Sequence, residues 1–191
     1  MSTLTPQAIQ DAALAIVDES GAHKLTMRAV ARRLDVEAPS LYYHVANKSA
    51  LVDRIVDSIL GRVELPEPGP DGTDGARGLA FALRTELSAH PNAVPLVASR
   101  PAHTLALVDR CEALRDALVR GGLSPTSATH LLRSLVVFTI GHAAAASSVG
   151  PDADAWFRST VDALIAGARL APGADASIAA TGHEAAASGA K

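Results

Sequence analysis

The sequence predicts an all-α fold, a small three-helix bundle followed by a larger helical domain, and three observations carry that prediction. Hydrophobic residues make up 48% of the 191 residues but aromatics only 3%, so the apolar mass is Ala, Leu and Val, which suits close-packed helices better than pleated sheets. Apolar positions recur at spacings of three and four along most of the chain. No segment shows the period-two alternation of a half-buried strand. The length is enough for one compact protein, or for a small domain joined to a larger one.

Thr5-Pro6 reads as a helix start, an N-cap oxygen followed by proline at the first helical position, and Ile9, Ala13, Ile16 and Val17 follow at helical spacing up to a stop at Gly21. Thr26 opens a second helix carrying Val30, Ala31 and Leu34. After a break at Asp35-Val36-Glu37, a brief helix is expected over Pro39 to His44. Asn47 then caps a longer helix whose inward face is Leu51, Val52, Ile55, Ile59 and Leu60. Residues 1–47 are read as a first domain and 48–170 as a second. Within the latter, 48–64 form a connecting helix and 65–75, rich in Pro, Gly and Asp, a flexible loop. The glycines of that loop have the wrong spacing for a dinucleotide site, and no strand precedes them.

Four further helical stretches follow. Leu79, Leu83 and Leu87 share one face, and Leu107, Cys111, Leu114 and Leu118 mark a helix that stops at Gly121-Gly122. Ser124-Pro125 starts a third, expected to reach Ser148, and Phe157, Val161, Leu164 and Ile165 mark the fourth. From Ala171 the chain is mostly Ala, Gly and Ser without periodicity, so 171–191 reads as a disordered tail.

The formal net charge of −3 argues against coating nucleic acid by bulk charge. Residues 1–64 hold seven Lys/Arg against eight Asp/Glu, so any DNA contact must use a local basic surface. No apolar run is long enough to span a bilayer, and the N-terminus lacks a basic start followed by an apolar stretch. With a single cysteine, no internal disulfide can form. A cytoplasmic protein without membrane contact is expected.

The informative segment is Leu25 to Lys48. Two short helices meeting at a three-residue turn form the helix-turn-helix pattern, in which the second helix enters the major groove of double-stranded DNA. Val30, Ala31, Leu34, Val36 and Leu41 would hold it to the bundle. Arg28 could pair bidentately with a guanine edge. Tyr42, Tyr43 and His44 could bond phosphates while their rings lie against sugars or a thymine methyl. Thr26 and Lys48 sit at helix N-termini, where backbone amides favour a phosphate. For each residue taken singly a plainer reading competes: Arg28 pairing with Glu37 or Asp35, Tyr42 covering the small core, His44 an ordinary surface histidine.

This segment resembles the TetR family, and in particular its tetracycline-repressor group, through L-T-x-R-x-(V/L)-A, V-E-x-P-(S/T)-L-Y-x-H-V and N-K-x-x-L. The resemblance runs from about Leu4 to Leu60 and continues more weakly at Ser99-Arg100-Pro101 and Phe138 to Gly141. It implies that Arg28 and the start of the recognition helix (Ala38, Pro39, Ser40) read bases, while Thr26, Tyr42, His44 and Lys48 hold phosphates. Three departures stand out: Asp35 replaces the usual turn glycine, Ala38 a base-reading glutamine, and Tyr43 a tryptophan. A different operator preference follows.

The resemblance further implies that 1–47 are the DNA-binding domain and 48–170 an effector-binding and dimerisation domain, with a homodimer, a pocket between helices for a small-molecule effector, and the connecting helix as the lever between them. Gly141, Ala143 to Ala146, Ala163, Ala166 and Gly167 are small enough for close helix approach between subunits. The metal-chelate site of the tetracycline group is not matched: Pro91 to Ser99 contains no histidine, Glu64 stands after the fourth helix, and no asparagine lies between Ala76 and Glu86. A largely apolar effector is expected against Leu83, Leu87 and Phe138, with Arg100, His103, His130, Arg133 and His142 as polar candidates and no metal or cofactor. Two alternatives stay open. One is a dimeric DNA-binding protein that senses no ligand, and the other a small enzyme using Cys111 with His103, His130 or His142.

Overall fold

The computed structural model describes residues 4–145 and 150–170, and all regular structure among them is helical. The N-terminal bundle consists of α1 (Pro6–Ser20), α2 (Met27–Arg33) and α3 (Ala38–Leu41), with a short 3₁₀ turn at Ala22–Lys24. The connecting helix α4 (Lys48–Gly61) leads to α5 (Thr73–Ala89), a 3₁₀ turn at Pro91–Ala93, α6 (Val94–Ala98), α7 (Pro101–Asp109), α8 (Glu112–Arg120), α9 (Pro125–Ala144) and α10 (Ala153–Leu170). The expected tail 171–191 and the expected end of the ninth helix at Ser148 lie outside the described residues.

Local chemistry sets most helix starts. Thr5, Thr26, Asn47 and Ser124 each cap a helix with a side-chain oxygen that accepts from the amide three residues on, at 2.9–3.1 Å. Each cap satisfies a donor the helix cannot satisfy itself. Proline follows in the first turn of α1 and α9, where its missing N–H costs nothing.

The turn between α2 and α3 needs a left-handed residue, and Asp35 supplies it at φ 53°; it is the only positive-φ residue other than glycine among the described residues. The amide of Val36 then donates back to Ala31 O at 3.0 Å, closing the C-terminus of α2.

Packing centres on α9, which touches α5, α6, α7, α8 and α10. Its buried face is Leu131, Leu132, Leu135, Val136, Thr139, Ile140 and His142. The opposite face, including His130, Arg133, Ser134, Val137 and Gly141, stays exposed in the single chain, so the helix is not covered all round. The connecting helix α4 buries Leu51, Val52, Ile55, Val56, Ile59 and Leu60 against α1 on one side and α5, α6 and α7 on the other.

Three expectations about boundaries change. The brief recognition helix ends at Leu41 rather than His44. Tyr42 and His44 continue as turns, with amides donating to Pro39 O and Leu41 O, i→i+3 bonds that tighten the coil. The helix expected through Leu107 to Leu118 breaks at Arg110-Cys111. There Cys111 N–H donates to Val108 O at 3.0 Å and the Arg110 guanidinium donates to Leu60 O at 2.9 Å, so the bend keeps the apolar spacing inward while tying α7 to α4.

The third change concerns the loop expected at 65–75: α5 already begins at Thr73, and the preceding residues are tied rather than loose. Gly72 adopts φ +75°, and a Cβ on it would lie 2.5 Å from Leu118 N. Asp71 accepts from the Thr73 amide at 3.0 Å and from Arg169 of α10.

Gly72→Ala should cost about 2 kcal/mol or more, from left-handed strain plus collision with the α8 backbone, as read in a denaturant melt. The Thr73 amide and Arg169 together hold the Asp71 carboxyl down to about 2. Since that lies below the unfolded carboxylate value of about 3.9, the stability it brings is present above that value and is lost as pH falls toward about 2. Asp71→Asn should therefore lower the melting temperature at neutral pH and flatten the acid limb.

Candidate nucleic-acid interface

The helix-turn-helix leaves most of its expected contact residues uncovered. Leu41 and Val45 are buried and anchor the second helix, and Met27, Val30 and Ala31 anchor the first. With those side chains turned in, Thr26, Arg28, Pro39, Tyr42, Tyr43 and Lys48 are exposed, and Ala38, Ser40 and His44 half-buried. The tyrosines are not core caps: Tyr42 is 52% and Tyr43 89% exposed. Large aromatic rings left so far out of a core are candidates for a surface that is covered later.

Charge is distributed to match. Of the seven Lys/Arg in residues 1–64, Arg33 pairs with Glu19 through two bonds of 2.6 and 2.7 Å, and Arg62 approaches Glu86 at 3.7 Å. Lys24, Arg28, Arg32, Lys48 and Arg54 make no ion pair with a described residue. The competing partners of Arg28, Asp35 and Glu37, are exposed but do not engage it. Within the helix-turn-helix, Arg33 is thus neutralised by Glu19 of α1, while Arg28, Arg32 and Lys48 stay without an ion-pair partner among the described residues. Each of the amides at the start of α2 and α4 not taken by Thr26 or Asn47 can meet a phosphate.

Six of the eight ligand candidates fall into three separate places. Leu83 and Leu87 are buried in α5, which packs on α9. Arg100 and His103 face the connecting helix: Arg100 donates to Asp53 at 2.6 Å and to Ser49 at 3.1 Å, and His103 Nδ1 lies 2.5 Å from Asp57. They are therefore struts between α4 and α7. His130 and Arg133 are exposed on the outer face of α9, and His130 lines a groove of about 320 Å³ between α9 and α10 that is open to solvent.

Phe138 and His142 do come together, in a cluster the sequence reading missed. All three phenylalanines and the single tryptophan of the chain meet at the junction of α5, α9 and α10. Phe138 stacks on Phe157 with centroids 5.5 Å apart, Phe81 meets Phe157 edge-on at 5.4 Å, and Trp156 meets Phe138 edge-on at 5.8 Å. His142 is buried against Trp156 and Phe157, its Nε2 3.2 Å from Ala153 O. The Arg84 guanidinium sits 4.7 Å over the Phe157 ring and bonds Asp154. The legible signal was scarcity: with so few aromatics, four at positions 81, 138, 156 and 157 of helices sharing one core were a candidate cluster.

Cys111 is 2% exposed, donates to Leu107 O, and is pushed up to about 11 by burial. A thiol held neutral and covered is a poor nucleophile. Among the described residues no group of three or more His, Cys, Asp or Glu is arranged to hold a metal ion, and no helix is long and apolar enough to cross a membrane.

A helical bundle that exposes a helix-turn-helix, set on a larger all-helical domain, defines a class of bacterial regulators. Residues 9–55 match the family model for bacterial regulatory proteins of the tetR family, and residues 65–172 match that for the tetracyclin repressor-like C-terminal domain. The chain belongs to the tetR family. It is 33% identical over 145 residues to an HTH-type transcriptional regulator of Saccharopolyspora erythraea, covering 75% of this chain and 61% of that one. It is 30% identical over 145 residues to the class D tetracycline repressor protein of Escherichia coli, covering 74% of this chain and 66% of that one.

The chain thus spans somewhat under two thirds of these relatives' length. Among solved structures, apo ActR from Streptomyces coelicolor superposes with a TM-score of 0.78 at 26% identity, over 89% of this chain and 97% of that one. BioQ bound to its double-stranded DNA operator gives 0.76 at 26% identity, over 88% of this chain and all of that one.

Two outcomes follow from the site. Asp35→Gly should raise stability by about 1 kcal/mol by relieving left-handed strain, measured by denaturant melt; an unchanged or lower midpoint would mean the aspartate side chain compensates for its backbone. Cys111 should be alkylated by iodoacetamide far more slowly in the native protein than in denaturant, whereas equal rates would show the site open.

Proposed function

We propose that the protein is a cytoplasmic, homodimeric repressor whose two helix-turn-helices read a palindromic operator in double-stranded DNA, and which a small, largely apolar effector releases. The observation that carries the DNA reading is the exposure of Arg28, Tyr42, Tyr43 and Lys48 on the helix-turn-helix and the helix start after it, the two cations without an ion-pair partner among the described residues, beside the capped N-termini of α2 and α4. Arg28 would read a guanine edge and Ala38 a thymine methyl, while Thr26, Tyr42, His44 and Lys48 hold phosphates. Pro39, Ser40 and Tyr43 complete the contact. Family membership supports this reading, as does the BioQ complex with its operator.

The dimer reading rests on the uncovered face of α9 and α10. Val137 is 63% and Leu170 84% exposed, and a Cβ on Gly141 or Gly167 would meet nothing within 4 Å in the single chain. Small residues cost helix stability unless something approaches closely, and a second copy would. Val137→Glu should yield a monomer in sedimentation. For the effector we favour the aromatic cluster around Phe138, His142 and Trp156, because the half-exposed Trp156 gives it an edge at the surface. Arg100 and His103 would transmit rather than bind. The buried, neutral Cys111 favours a regulator over an enzyme.

The test is binding to DNA flanking the protein's own gene, at stated salt, beside an Arg28→Ala/Tyr42→Ala variant. Tight, selective binding is expected in the parent, with a loss of at least about 2 kcal/mol in the variant. Lys48→Ala should weaken all sequences alike and reduce the salt slope by about 1. Equal binding of parent and double variant would refute the assigned face.

A further inference from the structure

Two polar seams run along opposite faces of α4, one between α4 and α7 and one that reaches past α4 to the bundle. At 100° per residue, Ser49, Asp53 and Asp57 form one stripe and Ser58 and Arg62 lie on the far side. The first stripe takes Arg100 and His103 of α7. The second seam differs in kind, because it reaches past α4 to α1. Arg62 donates to Ser58 at 3.0 Å and, within the same plane of contacts, to His90 Nε2 at 3.1 Å. Arginine can only donate, so Nε2 accepts and the proton sits on Nδ1, which donates to Asp18 of α1 at 2.9 Å. Next to it, Asn92 donates to Asp18 O at 2.8 Å. That carbonyl lies in the last turn of α1, where no intrahelical amide can reach it, so a side chain of the C-terminal domain completes the helix end of the bundle.

We infer that Asp18, His90 and Asn92 set the angle at which the DNA-binding bundle sits on the C-terminal domain, through contacts made directly to α1, with Arg62 at the end of the connecting helix holding His90. The seam is placed for this. Alpha1 packs on α2, α4 and the 3₁₀ turn Pro91–Ala93, so a displacement of that turn moves the bundle by its longest helix. The seam is also able to change partners. Asp18 Oδ1 and Glu86 Oε1 are buried without a hydrogen-bond partner, and Glu86 Oε1 lies 3.7 Å from both Arg62 and His90. A small shift of α5 would give Arg62 to Glu86 and free His90, so two arrangements of the same groups lie close in geometry. These three are positioning residues. Through them, movement in α5 or the turn after it would alter the separation of two recognition helices in the proposed dimer, and on that dimer reading the functional consequence rests.

The test separates the seam from the reading it builds on. In the full chain without DNA, spin labels at Lys24→Cys and Asp116→Cys report the distance between bundle and C-terminal domain. An Asn92→Ala/His90→Ala variant should shift or broaden that distribution at near-parental melting temperature, and an unchanged distribution would overturn the inference whatever the protein binds. The second arm uses an operator recovered by selection, with the half-sites moved apart or together by one and two base pairs, and an isolated half-site. The parent should discriminate spacing by about tenfold, and the variant by about threefold or less, with half-site affinity unchanged. Full discrimination retained in the variant would count against the seam. A parent indifferent to spacing would instead defeat the dimer reading and leave the distance measurement to decide the seam. His90→Gln, which keeps one hydrogen-bonding group, should restore part of the discrimination, as loss of bulk alone would not.

Discussion

One helix serves two cores, and the structure depends on that sharing. The apolar residues of α4 do not form a single stripe: Leu51 and Ile55 are fully buried, and so are Val56 and Ile59, because α1 covers part of the helix and α5, α6 and α7 the rest. A three-helix bundle of this size has only a small core of its own, and the connecting helix extends it. The bundle therefore cannot float on a linker. It is fused to the C-terminal domain through buried Leu, Ile and Val, and the polar seams on the two flanks of α4 fix its orientation. Burial makes the junction stiff, and hydrogen bonds with spare acceptors make its angle adjustable.

The same economy governs charge. A DNA-binding surface on an acidic protein works only if anions and cations are sorted in space. Glu19 takes Arg33 and Glu86 attends Arg62, while Asp53 and Asp57 of α4 are taken up by Arg100 and His103 of α7. The ion pairs of α4 with α5 and α7 thus do two things at once: they fix the helix that the bundle packs on, and they withdraw carboxylates that would repel a phosphate backbone.

Much of this was legible in the sequence, and what was not has physical causes. Caps at Thr5, Thr26, Asn47 and Ser124 are local chemistry, decided by an oxygen and an amide three residues apart, and each stands where it was read. Asp35, standing where the resemblance puts a turn glycine, takes the left-handed conformation that a turn glycine would. The break at Arg110-Cys111 was not legible, because the apolar spacing continues across it and the bend is made by a guanidinium reaching a carbonyl on another helix. Arg100 and His103 show the limit most clearly. Their residue types suit a pocket, but their partners Asp53 and Asp57 lie some fifty positions away on α4, a pairing no spacing rule could announce.

The central claim is that the free cations and tyrosines of the helix-turn-helix read DNA as a symmetric pair. It is tested most directly by selecting bound duplexes from a random-sequence pool with the full chain. The account predicts enrichment of a two-fold symmetric site whose half-sites are about one helical turn, or a multiple of it, apart. Recovery of no preferred sequence, or of a site without symmetry, would contradict it.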